Sequence, residues 1–195
     1  MKKQIVLALA LAAASFAATA GERSYSYVEA GWNRATLDID NNHDADFDGF
    51  AVRGSYGFNQ FHVFGAYSSV NNDDLIDIDL NESQLGFGIH HAIDEKADVI
   101  GEVSYLRQEV EASAFGLSAK DHVNGYRLSA GVRGQLGEHI EATIKANYTD
   151  GSDLDSEFTP SAGLLVKFNQ NWGLFVDAEA AEDVTRYAVG VRASF

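Results

Sequence analysis

The sequence predicts an all-β chain that closes into an up-and-down antiparallel transmembrane β-barrel of ten strands. Apolar residues recur at every second position along most of the chain, as they do where successive strand side chains point to opposite faces. After the first 20 residues no apolar run approaches the roughly 18 residues of a spanning helix. The composition combines 18 Gly and 11% aromatic residues with one Pro and no Cys, which favours strands and excludes a disulfide framework.

The chain begins with the three parts of a secretory signal peptide. Residues 1–3 (MKK) are basic, residues 5–14 are apolar, and residues 18–20 (ATA) supply the small side chains of a cleavage site. The apolar run is shorter than the roughly 20 residues of a spanning helix. We therefore expect a signal peptide over 1–20 and a barrel domain over 21–195. Removal of two lysines with the signal peptide moves the formal charge from −15 to −17.

Ten segments carry the period of two, each with one apolar face and one face of small or charged residues. In the second strand Phe50, Val52 and Tyr56 share the apolar face, opposite Arg53 and Ser55. The sixth, seventh and tenth strands repeat this pattern. The predicted strands run over 24–36, 48–58, 61–70, 81–91, 97–110, 122–135, 139–149, 158–168, 172–180 and 184–195.

Three of these strands are less regular than the others. Phe64 and Phe175 interrupt the alternation of the third and ninth strands. The fourth strand has a second start, because Ile76, Ile78 and Leu80 also alternate, although in the opposite phase. Loss of one strand pair leaves a barrel of eight strands, which is the main alternative.

The connections alternate between long and short. Short ones cover 59–60, 92–96, 136–138 and 169–171, and long ones cover about 37–47, 71–80, 111–121, 150–157 and 181–183. This rhythm is typical of outer-membrane barrels, in which short turns face the periplasm and longer loops face outward.

The two faces of the strands indicate which one meets lipid. A soluble β-protein would carry many solvated Lys, Glu and Gln side chains on its second face, whereas here that face is mostly Gly, Ala and Ser with isolated charges of both signs. Sparse mixed charges suit a confined interior in which each charge finds a partner. The predicted luminal charge network is Glu29, Arg53, Glu102, Arg127, Arg133, Glu141, Lys145, Lys167, Asp177 and Arg192.

Aromatic residues gather near both ends of the apolar face, as expected where strands cross the two membrane interfaces. One belt lies toward the long loops and the other toward the short turns. The first contains Trp32, Tyr67, Tyr105, Tyr126, Tyr148 and Tyr187, and the second contains Phe58, Phe61, Phe168, Trp172 and Phe195.

With its cleavage-site ATA, its girdled alternating strands and its aromatic C-terminus, the chain resembles small bacterial outer-membrane barrels of the OmpX, Ail and OmpA transmembrane class. Tyr187, Val189, Val191 and Phe195 resemble the C-terminal signal that the outer-membrane assembly machinery reads. Residues 24–32 (SYSYVEAGW) also resemble the first strand of a small-barrel family associated with quorum sensing and biofilm formation. The resemblance implies outer-membrane localisation after cleavage behind Ala20. It also implies contact with outer-membrane lipid and lipopolysaccharide, and with periplasmic chaperones during biogenesis.

Motifs for catalysis are missing from the sequence. Some barrel enzymes place a Ser two residues after a lipid-facing His, and others place an Asp-x-His at the rim. Neither pattern occurs at any of the six histidines, and there is no phosphate-binding loop. We therefore predict no enzyme and no cofactor. A lipid-modifying barrel enzyme is the least favoured function.

Asp44, Asp46 and Asp48, followed by Gly49, match the first half of a calcium loop. The twelfth position of that loop is Ser55, where a bidentate Glu is required, so a complete EF-hand is excluded. A loose Ca²⁺ or Mg²⁺ contact shared with lipopolysaccharide phosphates is the metal hypothesis that remains, and an acidic solvated loop is the default.

The acidic charge concentrates in the predicted long loops, at residues such as Asp73, Asp74, Asp150, Asp153, Asp155, Glu157, Glu182 and Asp183. Such a rim repels anions, which argues against nucleic-acid partners. Barrels of eight strands are filled by side chains, and a ten-stranded barrel lies near that limit. We therefore predict a monomeric, side-chain-filled barrel that displays acidic loops for surface interaction or envelope integrity. A narrow cation-preferring channel is the alternative.

Overall fold

Consecutive strands of the chain pair antiparallel, and the first strand also pairs with the last, which closes the sheet into a barrel. This is seen in a computed structural model, which describes residues 23–40, 43–72, 77–114, 117–152 and 154–195. The ten-stranded prediction is confirmed, and the eight-stranded alternative is wrong. The strands are β1 (Tyr27–Asp40), β2 (His43–Phe58), β3 (Phe61–Asn72), β4 (Asp77–Ala92), β5 (Ala97–Ala114), β6 (Leu117–Gln135), β7 (Ile140–Gly151), β8 (Leu154–Lys167), β9 (Trp172–Ala180) and β10 (Val184–Ser194).

One end of the barrel, here named the turn end, carries the short connections 59–60, 93–96, 136–139 and 168–171. The opposite end is named the loop end. In the β2–β3 turn Asn59 has a φ of 55°, a left-handed conformation that Asn tolerates better than most residues. Each of the other three turns is closed by a backbone bond such as Ile93 N to Ala97 O at 2.8 Å.

The strands extend further toward the loop end than the sequence predicts. The segments 37–47, 71–80, 111–121 and 150–157, expected to be connections, are largely strand. β6, for example, begins at Leu117 instead of residue 122 and stays paired with β5 up to Ala114. Beyond the membrane the polar side chains face outward and apolar ones such as Ala45 and Phe47 face inward, so the alternation continues in the opposite phase to that of the lipid-facing part.

The outward and inward faces alternate along every strand. Phe50, Val52 and Tyr56 are exposed on the outside of β2, while Ser55 is buried and Arg53 lines the interior, named here the lumen. Both predicted aromatic belts lie on the outward face; Tyr187 in the first belt is half-buried opposite Arg34. Within the described residues no helix is both long and apolar enough to cross a bilayer.

The buried apolar cluster of the molecule lies inside the barrel at the loop end. Ala35, Phe47 and Val70 form its centre, and partly buried neighbours complete it: Leu37, Ala45, Ile78, Leu80 and Val184. This location explains the second phase of the fourth strand, because Ile78 and Leu80 point inward whereas Leu85 and Phe87 point outward. Ile76 lies outside the described residues.

Candidate functional site in the lumen

The strands bring all ten residues of the predicted luminal network to the inner face of the barrel. Each of them forms an ion pair with another charged side chain. The pairs join Glu29 with Arg53 and Arg192, Arg53 with Asp177, Glu102 with Lys145, Arg127 with Glu179, and Glu141 with Arg133 and Lys167. Carboxylates and cations therefore alternate through the lumen.

Glu29 is the centre of the first luminal cluster and is only 1% exposed. Arg192 Nη2 approaches its Oε1 at 2.5 Å, and Arg53 Nε approaches its Oε2 at 3.2 Å. Arg53 Nη2 also reaches Asp177 Oδ2 at 2.7 Å. Since β1, β2, β9 and β10 are neighbours in the barrel, these pairs join one side of the wall.

Glu102 is the centre of a second cluster on the opposite side of the wall. Lys145 Nζ lies 2.8 Å from Glu102 Oε2, and His62 Nε2 lies 3.2 Å from Glu102 Oε1. A hydrogen bond of 2.6 Å from Gln84 Nε2 to Ser104 Oγ lies on the same inner face. The cluster therefore joins β3, β5 and β7 across the strands between them.

A third cluster spans the lumen, and most of its residues lie outside the predicted luminal network. Arg186 Nη1 on β10 lies 3.2 Å from Glu82 Oε2 on β4, four places away around the barrel of ten. Arg127 Nη1 donates to Glu179 Oε2 at 3.2 Å, and Gln108 Nε2 donates to Glu82 Oε2 at 2.9 Å. Arg186 is an even number of residues from Arg192, and Glu179 from Asp177, so the strand period of two predicts that both point inward. They are not part of the predicted network because they lie close to predicted loops.

Near the turn end a buried carboxylate holds two cations. Glu141 Oε2 accepts from Arg133 Nη2 at 2.5 Å, and Glu141 also pairs with Lys167. Glu141 is 2% exposed and Arg133 5%. Removing charged groups from water costs free energy unless such partners offset it.

Residues 23–26, which precede β1, enter the lumen at the turn end. Arg23 Nε and Nη2 donate to the Asp98 carboxylate at 2.8 and 2.9 Å, and the Tyr25 hydroxyl donates to Asp98 Oδ2 at 2.9 Å. The hydrogen bond to Asp98 raises the pKa of the Arg23 guanidinium, and burial raises the pKa of the Tyr25 phenol. Neither residue belongs to the predicted luminal network.

The aromatic residues that break the predicted alternation also occupy the lumen. Phe175 is 2% exposed, and the Arg53 guanidinium lies 6.0 Å from its ring centroid. Phe64 packs over Gly86 of β4, where an added Cβ would collide with the Phe64 ring. Glycine therefore makes room for a large luminal side chain on the neighbouring strand.

A cavity of about 260 Å³ remains between these clusters. It is lined by residues from the turn end, such as Tyr25 and Glu141, to the third cluster at Glu82 and Arg186. Several buried polar atoms that border it have no hydrogen-bond partner among the described residues, including Ser55 Oγ and His62 Nδ1. The lumen is thus polar and narrow, with space for water between the ion pairs.

The calcium-loop candidates lie in strand β2. Arg34 donates to both carboxylate oxygens of Asp48 at 2.7 Å, and Thr36 Oγ1 donates to Asp46 Oδ1 at 2.6 Å. Asp44 opens the same face of the strand and is also engaged in an interaction. Among the described residues no group of three or more acidic or histidine side chains is placed to hold a metal ion.

Three residues of the predicted assembly signal, Tyr187, Val189 and Val191, lie on β10, which closes the barrel against β1, and Phe195 directly follows that strand. Val189, Val191 and Phe195 point outward and are exposed, and Phe195 N donates to Ser26 O at 3.0 Å. The predicted signal peptide lies outside the described residues, as do Asp73, Asp74 and Asp153.

An apolar outer wall around an ion-paired lumen defines a small integral membrane barrel. Residues 5–174 match the family model described as outer membrane protein beta-barrel domain. The chain therefore belongs to this family of bacterial outer-membrane barrels, and its location is the bacterial outer membrane.

The chain is similar to several solved structures at low sequence identity. The beta domain of the Bordetella autotransporter BrkA is 10% identical over 89% of this chain and 100% of its own, with a TM-score of 0.50. Ail of Yersinia pestis is 17% identical over 89% and 100%, with a TM-score of 0.46. Neisserial surface protein A is 12% identical over 88% and 98%, with a TM-score of 0.49. No curated protein sequence matches the chain.

Proposed function

We propose that this chain is a closed outer-membrane scaffold that displays an acidic surface at its loop end for surface interaction or envelope integrity. The observation that carries the proposal is the Arg186–Glu82 bridge across the lumen. An open channel requires a continuous wet path, whereas here ion pairs cross the interior and the apolar cluster around Phe47 lies between them and the loop end. We assign the chain no catalytic role.

The orientation follows from the two ends. The short turns and the C-terminus lie at the turn end, which we place in the periplasm, as is usual in this class. The signal peptide over 1–20 and recognition of Tyr187, Val189, Val191 and Phe195 by the assembly machinery belong to the same proposal. So does contact of the outward face with lipid and of the loop end with lipopolysaccharide.

Planar-bilayer recording on the refolded protein tests the closed lumen. We expect no stable single-channel steps from the wild-type protein. The double variant Glu82→Gln, Arg186→Gln removes the bridge, and we expect brief openings from it. Arg34→Gln on the outer face is the matched control. Reproducible steps from the wild-type protein would instead establish the narrow cation-preferring channel, which the cavity of about 260 Å³ favours as second candidate.

The acidic surface has a separate test with a cationic probe. Exposed carboxylates at the loop end include Asp38, Asp79, Glu182 and Asp183. We expect fluorescent polylysine to bind the protein in nanodiscs and to dissociate as salt is added, because exposed charges are screened. The pair Asp79→Asn, Asp183→Asn should weaken binding more than the turn-end pair Glu95→Gln, Glu138→Gln. Equal weakening by both pairs would contradict a loop-end binding surface.

A further inference from the structure

The segment formed by residues 23–26, named here the latch segment, covers the turn end of the lumen from inside. Tyr25 is its central residue. Its ring stacks on His90 with centroids 3.7 Å apart and an angle of 7°, and it lies 5.2 Å from the ring of His62. The Arg133 guanidinium lies 4.7 Å from the Tyr25 ring centroid on the path toward Glu141.

Polar bonds hold the same segment to three parts of the wall. Arg23 and Tyr25 bind Asp98 on β5, and Arg133 Nη1 on β6 donates to Ser24 O at 2.9 Å. Ser24 Oγ donates to Phe195 O at 3.1 Å, next to the end of β10. Strands that are not neighbours in the sheet are thus joined through a segment that belongs to no strand.

The latch segment is attached to the barrel wall unequally along its length. Ser26 is fixed, because its carbonyl accepts from Phe195 N and its hydroxyl accepts from Gly57 N at 3.0 Å. Arg23 and Tyr25 bind the wall through their side chains: both donate to the Asp98 carboxylate, and Arg23 Nη1 also donates to Glu95 O at 3.0 Å. The strand pairs of β1 with β2 and β10 begin at Tyr27, so displacement of residues 23–25 would break none of them.

We propose that the latch segment is a movable gate that controls passage of small polar solutes between the turn-end side of the membrane and the lumen. This rests on the closed lumen proposed above and adds a second closure to it. Release of Tyr25 uncovers His62 and His90 and opens the ion-paired cavity to water. The luminal ion pairs beyond it stay formed, so release of the gate alone admits solutes to the lumen without opening a path through the barrel.

The absence of cysteine allows a direct test. Ser129 lines the cavity, so Ser129→Cys supplies a single luminal thiol. We expect slow modification by a small cationic methanethiosulfonate reagent in micelles, and a rate at least about tenfold higher when Tyr25→Ala is added, because labelling follows the population of the open state. Arg23→Gln, outside the strands, should act in the same direction. Tyr56→Ala, on the lipid-facing side, is the matched control.

The outcomes of this test separate the gate from the closed lumen. Labelling rates of the Tyr25 and Arg23 variants equal to that of the Tyr56 variant, in protein that still shifts on a detergent gel after boiling, would overturn the gate. Conductance of the wild-type protein would overturn the closed lumen, whatever the labelling shows. If Tyr25→Ala fails to fold, Arg23→Gln alone decides the matter.

Discussion

The membrane-spanning part of the barrel and the part that projects at the loop end distribute their polarity in opposite ways. In the span Phe50 and Val52 of β2 face outward, and Arg53 and Ser55 face inward. A few residues earlier in the same strand Asp46 and Asp48 lie on the outward face, and Phe47 is buried inside. From Asp44 to Ser55 this strand keeps its register with β1, so the reversal lies in the medium on its outer side, which changes from water to lipid.

This reversal shows that the membrane-spanning part and the projecting part are stabilised by different interactions. Lipid surrounds the span, so its apolar side chains gain little by pointing inward. Ion pairs and close glycine contacts organise an interior that also buries Ile100, Leu106, Leu165 and Phe175. Water surrounds the projecting part, where burial of Phe47, Val70 and their neighbours is favourable as in a soluble protein. Strand lengths agree with this division, because the 9 residues of β9 just span a bilayer whereas the 19 of β6 exceed the need.

The largest effect should come from an unpaired charge inside the span. Glu141→Gln leaves Arg133 and Lys167 without their shared carboxylate, and loss of a buried partner costs roughly 3–5 kcal/mol. Glu109→Gln is a matched control, since Glu109 likewise holds two cations, Arg107 and Lys120, on the exposed outer face. Denaturant unfolding in micelles should show a large loss for the first variant and almost none for the second. Equal losses would mean that the span does not depend on its interior charges.

A cavity in the projecting cluster should have the next largest effect. Phe47→Ala removes a buried ring, and such truncations cost roughly 3 kcal/mol or more. The loss should be local, so hydrogen exchange should accelerate in the loop-end halves of β1 and β2 while the span stays protected. Phe50→Ala, which faces lipid, should leave that exchange pattern unchanged. Uniform acceleration along both strands would show that the two parts unfold as one unit.

A smaller effect should follow from crowding inside the span. Gly86→Ala places a Cβ against the Phe64 ring and Ser104, and overpacking of this kind costs roughly 1–3 kcal/mol. Adding Phe64→Leu should restore part of the loss, which a double-mutant cycle measures. Gly101→Ala is the control, because its Cβ would meet only Ile89 Cγ2 at 3.6 Å. If Phe64→Leu restores none of the lost stability, the Phe64 ring is not the cause of the destabilisation by Gly86→Ala.

The smallest effect should come from the ion pair on the outside of the projecting part. Arg34→Gln removes the bonds to Asp48, but both side chains are well exposed, so water replaces the lost partner. The free energy of unfolding in micelles should equal that of the wild-type protein, and any small difference should disappear at high salt. A clear destabilisation would show that this outer surface is held as tightly as the lumen.

Much of the membrane-spanning part could be predicted from the sequence alone. Alternation of Phe50, Val52 and Tyr56 with Arg53 and Ser55 identifies a lipid-facing and an inner face, because the strand period is two and the two media differ. That pattern was enough to predict ten strands, both aromatic belts and the ten charged residues that the structure places on the inner face.

Contacts between side chains of different strands could be found only in the folded structure, because they depend on which strands are neighbours around the barrel. In the projecting strands the apolar side chains, such as Ala45 and Phe47, point inward, so their alternation runs in the opposite phase to that of the span and does not mark a lipid-facing strand. Phe64 and Phe175 break the pattern locally and fit only because glycines stand beside them on other strands. The Arg186–Glu82 bridge and the contacts of Tyr25 join residues far apart in the chain, and closure of the sheet is the physical cause that brings them together.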